Sequence, residues 1–131
     1  MNRERQDFRV IIAGSRTFND YKWLKVVCNA LLAEVLSVNN VIVISGGASG
    51  ADSLGELYAK ENGLVCEQYP ADWKQHGNAA GPIRNRQMAA VAQTLIVFWD
   101  GKSRGTKNMI EQARKKGLIV HICPTNMQEG M

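Results

Sequence analysis

The sequence predicts a Rossmann-like α/β fold: a doubly wound parallel sheet of about five strands held as the middle layer of a three-layer sandwich. Three observations carry that prediction. Short, unbroken apolar runs recur along the chain, amphipathic stretches separate them, and glycine-bearing turns close several of the runs. A strand covered on both faces has no solvent side, so it reads as a continuous apolar run rather than an alternating one.

The elements follow in order. Phe8 to Ala13 is the first run and stops at Gly14. Leu24, Val27, Cys28, Leu31, Leu32, Val35 and Leu36 then return at three- and four-residue steps, one apolar stripe on a helix that Asn19 or Asp20 can cap. Val41 to Ile44 is the second strand, ending at Ser45-Gly46-Gly47. Leu54, Leu57 and Tyr58 mark a second helix, closed by Asn62-Gly63. Leu64 to Tyr69 is a third strand broken by Pro70, and a polar loop runs from there to Gly81. Pro82 suits the first turn of a helix through Met88, Val91 and Ala92. Leu95 to Trp99 is the fourth strand. Met109, Ile110 and Ala113 line the last helix, which ends at Lys115-Lys116-Gly117 with the favourable charge sign and a glycine cap. Leu118 to Ile122 is the fifth strand, and the chain past Pro124 is expected to fray.

Composition bounds the function. At 131 residues the chain is expected to form a single domain, residues 1–131, and 45% hydrophobic content suffices for a core. No apolar run approaches the roughly 18 residues of a membrane span, and the charged start does not resemble a signal peptide. Cys28, Cys66 and Cys123 form no CxxC pair and are odd in number, so free thiols in the cytoplasm are expected. His76 and His121 lie far apart and no carboxylates cluster at ligand spacing, so no metal is expected. Between Arg84 and Lys116, eight basic residues face only Asp100 and Glu111, a local excess that favours an anionic partner or a solvated basic face.

In such folds ligands bind beyond the carboxyl ends of the strands, so the loops there hold the candidate site. Gly14-Ser15-Arg16 follows the first strand, and Ser45-Gly46-Gly47-Ala48-Ser49-Gly50-Ala51-Asp52 runs from the second into a helix. Glycines admit a ligand close to the backbone, and a helix start favours anions. The spacing is neither GxGxxG nor a P-loop, so no NAD or ATP cofactor site is predicted. Trp73, in the long loop, offers either a stacking surface or a lid. Arg84-Asn85-Arg86 is read in the first turn of a helix, where cations oppose the dipole unless an anion is bound. Ser103-Arg104-Gly105-Thr106 opens another helix as a second phosphate cradle. Asp52 is the weak candidate for catalysis in an alternative reading, an enzyme cleaving a nucleotide's N-glycosidic or phosphate bond, and is read more simply as a residue holding its helix start.

The segments GSRTFND, SGGASGAD, PADW, AAGPIRN and FWDGKSRGT together resemble the stand-alone YspA-type branch of the SLOG superfamily, over about Val10 to Ile122. The resemblance implies a Rossmann-like domain binding a nucleotide or nucleotide-derived signal, such as an ADP-ribose derivative or cyclic nucleotide. Some members serve in signalling and phage defence, and dimers or larger homo-oligomers are common. Two related groups imply alternatives. In Lonely Guy phosphoribohydrolases an arginine motif resembles Arg84 to Met88 and a glycine motif resembles Gly105 to Met109. Their glutamate falls on Met109, which moves no proton, and the acid before their fourth strand is Gln93, so that N-glycosidic hydrolysis is not expected. The DNA-processing protein A group resembles this chain at Gly14-Ser15-Arg16, at Ser45 to Asp52 and at Arg84-Asn85-Arg86, implying single-stranded DNA binding with Trp73 or Trp99 stacking bases. Trp99 ends an apolar strand and suits the core better.

Overall fold

A computed structural model describes residues 5–127. Five parallel strands, β1 (Asp7–Gly14), β2 (Asn40–Ser45), β3 (Val65–Gln68), β4 (Thr94–Phe98) and β5 (Ile119–Cys123), form one sheet in the order β3-β2-β1-β4-β5. Val10 pairs with Val43 on one side and Thr94 on the other. The helices are α1 (Tyr21–Val38), α2 (Ala51–Glu61), α3 (Trp73–His76), α4 (Ala80–Val91) and α5 (Arg104–Lys115).

Strand pleating sorts the apolar residues into two cores. Val10, Ile12, Val43 and Phe98 pack with Leu24, Cys28 and Leu32 of α1 and Tyr58 of α2. Ile11, Ala13, Ile44 and Val97 pack on the other face with Met88 of α4 and Met109 and Ile110 of α5. The three central strands are thus buried on both sides, which is why they read as unbroken apolar runs. The outer strands are half-wet: Val65 and Ile119 are exposed. Cys28, Cys66 and Cys123 are free thiols. Among the described residues no helix is long and apolar enough to cross a membrane.

Asp20 is the residue that caps α1, accepting the Trp23 N–H at 3.0 Å. Asp20→Ala should cost about 1 kcal/mol of stability in a urea titration. Gly63 and Gly117 follow the ends of α2 and α5 with positive φ, as the glycine signals predict.

Two expectations are corrected. The stretch from Pro70 to Gly81 is not a plain loop: Asp72 caps α3 by accepting the Gln75 N–H at 3.1 Å, a 3-10 turn covers Gly77–Ala79, and α4 begins at Ala80. Pro82 therefore stands in the third position of α4, where its missing N–H still costs nothing. Arg84 accordingly falls in the second turn, not the first, and the dipole argument does not apply to it. The carbonyl of Pro124 accepts the Trp23 indole N–H at 2.9 Å, which ties the chain just past β5 to α1. Of the tail expected to fray past Pro124, residues 128–131 lie outside the described residues.

Candidate functional site

The strand order reverses at β1, so the loops leaving β1 and β4 part toward opposite faces and leave a crevice between them. A cleft of about 530 Å³ opens there, between the β1–α1 loop, the start of α2, α4 and the start of α5. A second recess of about 380 Å³ adjoins it, lined by Gly46, Gly47 and Ser49 and sharing Arg16, Ala48, Trp73 and Arg84 with the first.

Two side chains join the glycine turns. Arg84 donates from Nη1 to the Gly46 carbonyl and from Nε to Asn85 Oδ1 at 3.0 Å. Asn85, itself buried, donates onward to the Gly105 carbonyl at 3.3 Å and to Asn108 Oδ1 at 3.1 Å. The turn after β2 and the turn opening α5, more than fifty residues apart in sequence, are thereby tied across α4. Gly46 makes this possible, because a Cβ there would come within 2.5 Å of Arg84 Nη1 and 2.8 Å of Asp52 Oδ2.

The two helix starts differ in what they leave open. In the turn leading into α2, three donors are used within the fold: the Gly47 N–H reaches Ser45 Oγ at 3.1 Å, Ala48 N–H reaches Asp52 Oδ2 at 3.2 Å, and Ala51 N–H reaches the Ser15 carbonyl at 3.3 Å. A carboxylate already stands where the sequence suggested a phosphate. At α5, Ser103 caps the helix by accepting the Thr106 N–H, and Arg104, Gly105 and Thr106 line the cleft with no acid in the first turn. Arg104, the first residue of α5, is the cation that opposes a helix dipole, unfavourable there until an anion sits beside it.

Asp52 is 6% exposed, and burial pushes its carboxyl up to about 6, against the opposing pull of the Ala48 N–H, Arg84 and Arg16. Burial likewise lowers the Arg84 guanidinium, with Asp52 acting against it. For Asp52 the folded state holds its proton more tightly than the unfolded chain, so stability falls as pH rises from about 4 through about 6. The ionised carboxylate then costs on the order of 3 kcal/mol at neutral pH. Asp52→Asn should therefore stabilise the protein at pH 7.5, and the gain should fade below pH 5 when urea unfolding is followed across pH.

The remaining site candidates divide by role. Ser15 and Ser45 are buried and work inside the fold: Ser15 Oγ accepts the Asp100 N–H at 3.2 Å, and Ser45 Oγ donates to Glu56 at 2.6 Å. Gly50, with φ of +77°, sits against the Ser15 and Arg16 carbonyls and presses α2 onto the β1–α1 loop. Gly14 and Arg16 line the cleft. Trp73 stands at its mouth, 51% exposed and bordering both recesses. Trp99 does not: it packs on the second core and its indole N–H donates to the Ser103 carbonyl at 3.1 Å. Met109 lines the floor of the cleft and belongs to that same core.

Sequence reasoning missed Asn78, Met88 and Asn108 as cleft residues, and Glu56 as the partner of Ser45. Asn108 was legible in principle, since it stands one helical turn after Arg104. Glu56 likewise stands four residues after Asp52 on α2. Asp100, exposed, accepts the N–H groups of Lys102 and Ser103 at 2.8 Å each, which holds its carboxyl below the usual range.

The pattern of the YspA, cpYpsA-related SLOG family matches residues 8–76, from β1 through α3. The chain belongs to that family. The Gene 61 protein of Mycobacterium phage D29 is 36% identical to this chain over 119 residues, covering 86% of this chain and 93% of the phage protein. The fold is shared with DNA processing protein A (DprA) from Streptococcus pneumoniae, at a TM-score of 0.71 and 20% identity over 95% of this chain. That alignment takes in 53% of the DprA chain, so this SLOG chain spans about half its length.

Proposed function

We propose that the cleft binds a nucleotide or nucleotide-derived ligand, such as an ADP-ribose derivative or a cyclic nucleotide, for sensing or sequestration. One observation carries this reading: the Arg84–Asn85 tether brings both glycine turns to one cleft. Arg16, Arg84 and Arg104 border that cleft, and Trp73 is exposed at its mouth. A phosphate suits the first turn of α5, which carries Arg104 and no acid, with Asp100 on the cleft wall just before it. A base suits the Trp73 face. With Met109 in place of a carboxylate on the cleft floor, the expected outcome is binding without cleavage of an N-glycosidic bond.

A ligand that binds the folded state raises the melting temperature with its free concentration. A screen of mononucleotides, dinucleotides, ADP-ribose variants and cyclic nucleotides should give at least one concentration-dependent shift. No shift from any of them overturns the proposal. Trp73→Ala should weaken the bound nucleotide by about 1–3 kcal/mol, measured by calorimetry.

The exposed Trp73, together with the basic stretch from Arg84 to Lys116, also favours a single-stranded nucleic acid as a second reading. Salt separates the two. A strand that contacts several phosphates loses affinity steeply as salt rises, whereas a single nucleotide gives a shallow slope.

A further inference from the structure

We propose that Asp52 makes the cleft select a ligand carrying a hydroxyl donor beside its phosphate, so that ribonucleotides are preferred over deoxygenated analogues and over simple anions. The inference rests on the nucleotide reading above and deepens it. A carboxylate in an anion cleft is a liability by itself, since it repels the phosphate that Arg84 and Arg104 attract. Yet Asp52 is buried and lines that cleft. Its Oδ2 accepts one N–H, from Ala48 at 3.2 Å, and its Oδ1 accepts none among the described residues. No buried side-chain oxygen among the described residues is left without a partner, so this second oxygen keeps contact with solvent, and Asp52 lines the cleft.

The arrangement around Gly46 explains the selectivity. Arg84 spends its bonds on the Gly46 carbonyl and on Asn85 rather than on Asp52. Guanidinium and carboxylate therefore both crowd the position a Gly46 Cβ would take, each with capacity to spare. A bare dianion satisfies the cation and offends the carboxylate. A phosphate ester with a neighbouring hydroxyl satisfies both, because the hydroxyl donates to Oδ1 while the phosphate sits toward Arg104 and the α5 start. The groups facing Asp52 are Arg84 from α4, Arg16 from the β1–α1 loop and Glu56 from its own helix. The cations help keep it ionised at neutral pH. Burial raises its carboxyl to about 6, so acid removes the repulsion.

The test is calorimetry on the whole chain with adenosine 5′-monophosphate, its 2′,3′-dideoxy analogue and sulfate, for wild type and Asp52→Asn. Sulfate is chosen because its own charge does not change between pH 5 and 7.5. Wild type should bind the ribonucleotide about tenfold more tightly than the dideoxy analogue, and Asp52→Asn should reduce that ratio to about two. Sulfate affinity of wild type should rise severalfold from pH 7.5 to 5, while Asp52→Asn should bind sulfate with the tighter, pH-insensitive constant throughout. Unfolding curves on the same samples establish that the variant is folded. Equal binding of ribo- and dideoxynucleotide by wild type, or a ratio unchanged in Asp52→Asn, overturns the role of Asp52 and leaves nucleotide binding standing. If wild type binds none of the three and the wider screen is also silent, nucleotide binding falls and the role of Asp52 with it.

Discussion

Arg84→Ala is expected to weaken nucleotide binding by at least tenfold and to cost about 2 kcal/mol of stability. The variant removes a charge-assisted donor from the cleft wall, and it leaves the carbonyl of buried Gly46 without the Nη1 bond. It also frees Asn85 from its Arg84 contact, loosening the tie between the two glycine turns. Asp52 loses the nearest cation, so its carboxyl moves further up and the range in which acid stabilises the fold extends to higher pH. Arg84→Lys keeps a charge without the planar fork, cannot reach both acceptors, and should fall between wild type and alanine. Calorimetry with the nucleotide found by the thermal screen, beside urea unfolding, checks both effects. Wild-type affinity in Arg84→Ala would remove Arg84 from the binding site.

Gly50→Ala should be the most destabilising of these substitutions, by roughly 2–5 kcal/mol. Its φ of +77° is strained for an L side chain, and a Cβ would also drive into the backbone carbonyls of Ser15 and Arg16. Backbone cannot swing aside as a flexible side chain does, so α2 must lift off the β1–α1 loop. Gly47→Ala provides the comparison. Its φ of +75° is nearly the same, but a Cβ there meets nothing within 4 Å. It should cost about 1–2 kcal/mol, the strain alone. Equal losses in the two variants, read from urea midpoints at one pH, would mean that the close approach to the first loop contributes nothing.

The fold was legible because burial leaves a pattern that needs no partner to be read. Ile11, Ile12, Val43 and Ile96 stand in unbroken apolar runs only because helices cover both faces of the sheet. Boundaries moved by a residue, as where the strand read as Leu95 to Trp99 spans Thr94–Phe98. The helix α3 was missed because four residues cannot show a period; its one local signal was the capping aspartate, Asp72. The same omission misplaced Arg84 by a helical turn.

The site was legible in part. Glycine, hydroxyl and arginine residues at strand ends pointed to the right loops, because strand ends in a parallel sheet share one edge. Their division of labour was not readable. Ser45 and Ser15 look like phosphate ligands in a string of letters, yet Ser45 holds Glu56 and Ser15 holds Asp100. Asp52 reads as a helix-start residue, and only its burial beside Arg84 makes it an electrostatic element of a cleft.

What the amino-acid order determined by itself was therefore the list of elements, the faces they bury and the loops that gather at one edge. Those follow from side-chain period and backbone freedom, which act between near neighbours along the chain. The tertiary structure alone decided that Arg84 and Asn85 tie the Gly46 and Gly105 turns together, that Asp52 is buried beside Arg84, and that Arg104 and Asp100 line one cleft with them. Hydrogen bonds and desolvation act over a few ångströms of space, and which groups share that space is set by how distant segments pack.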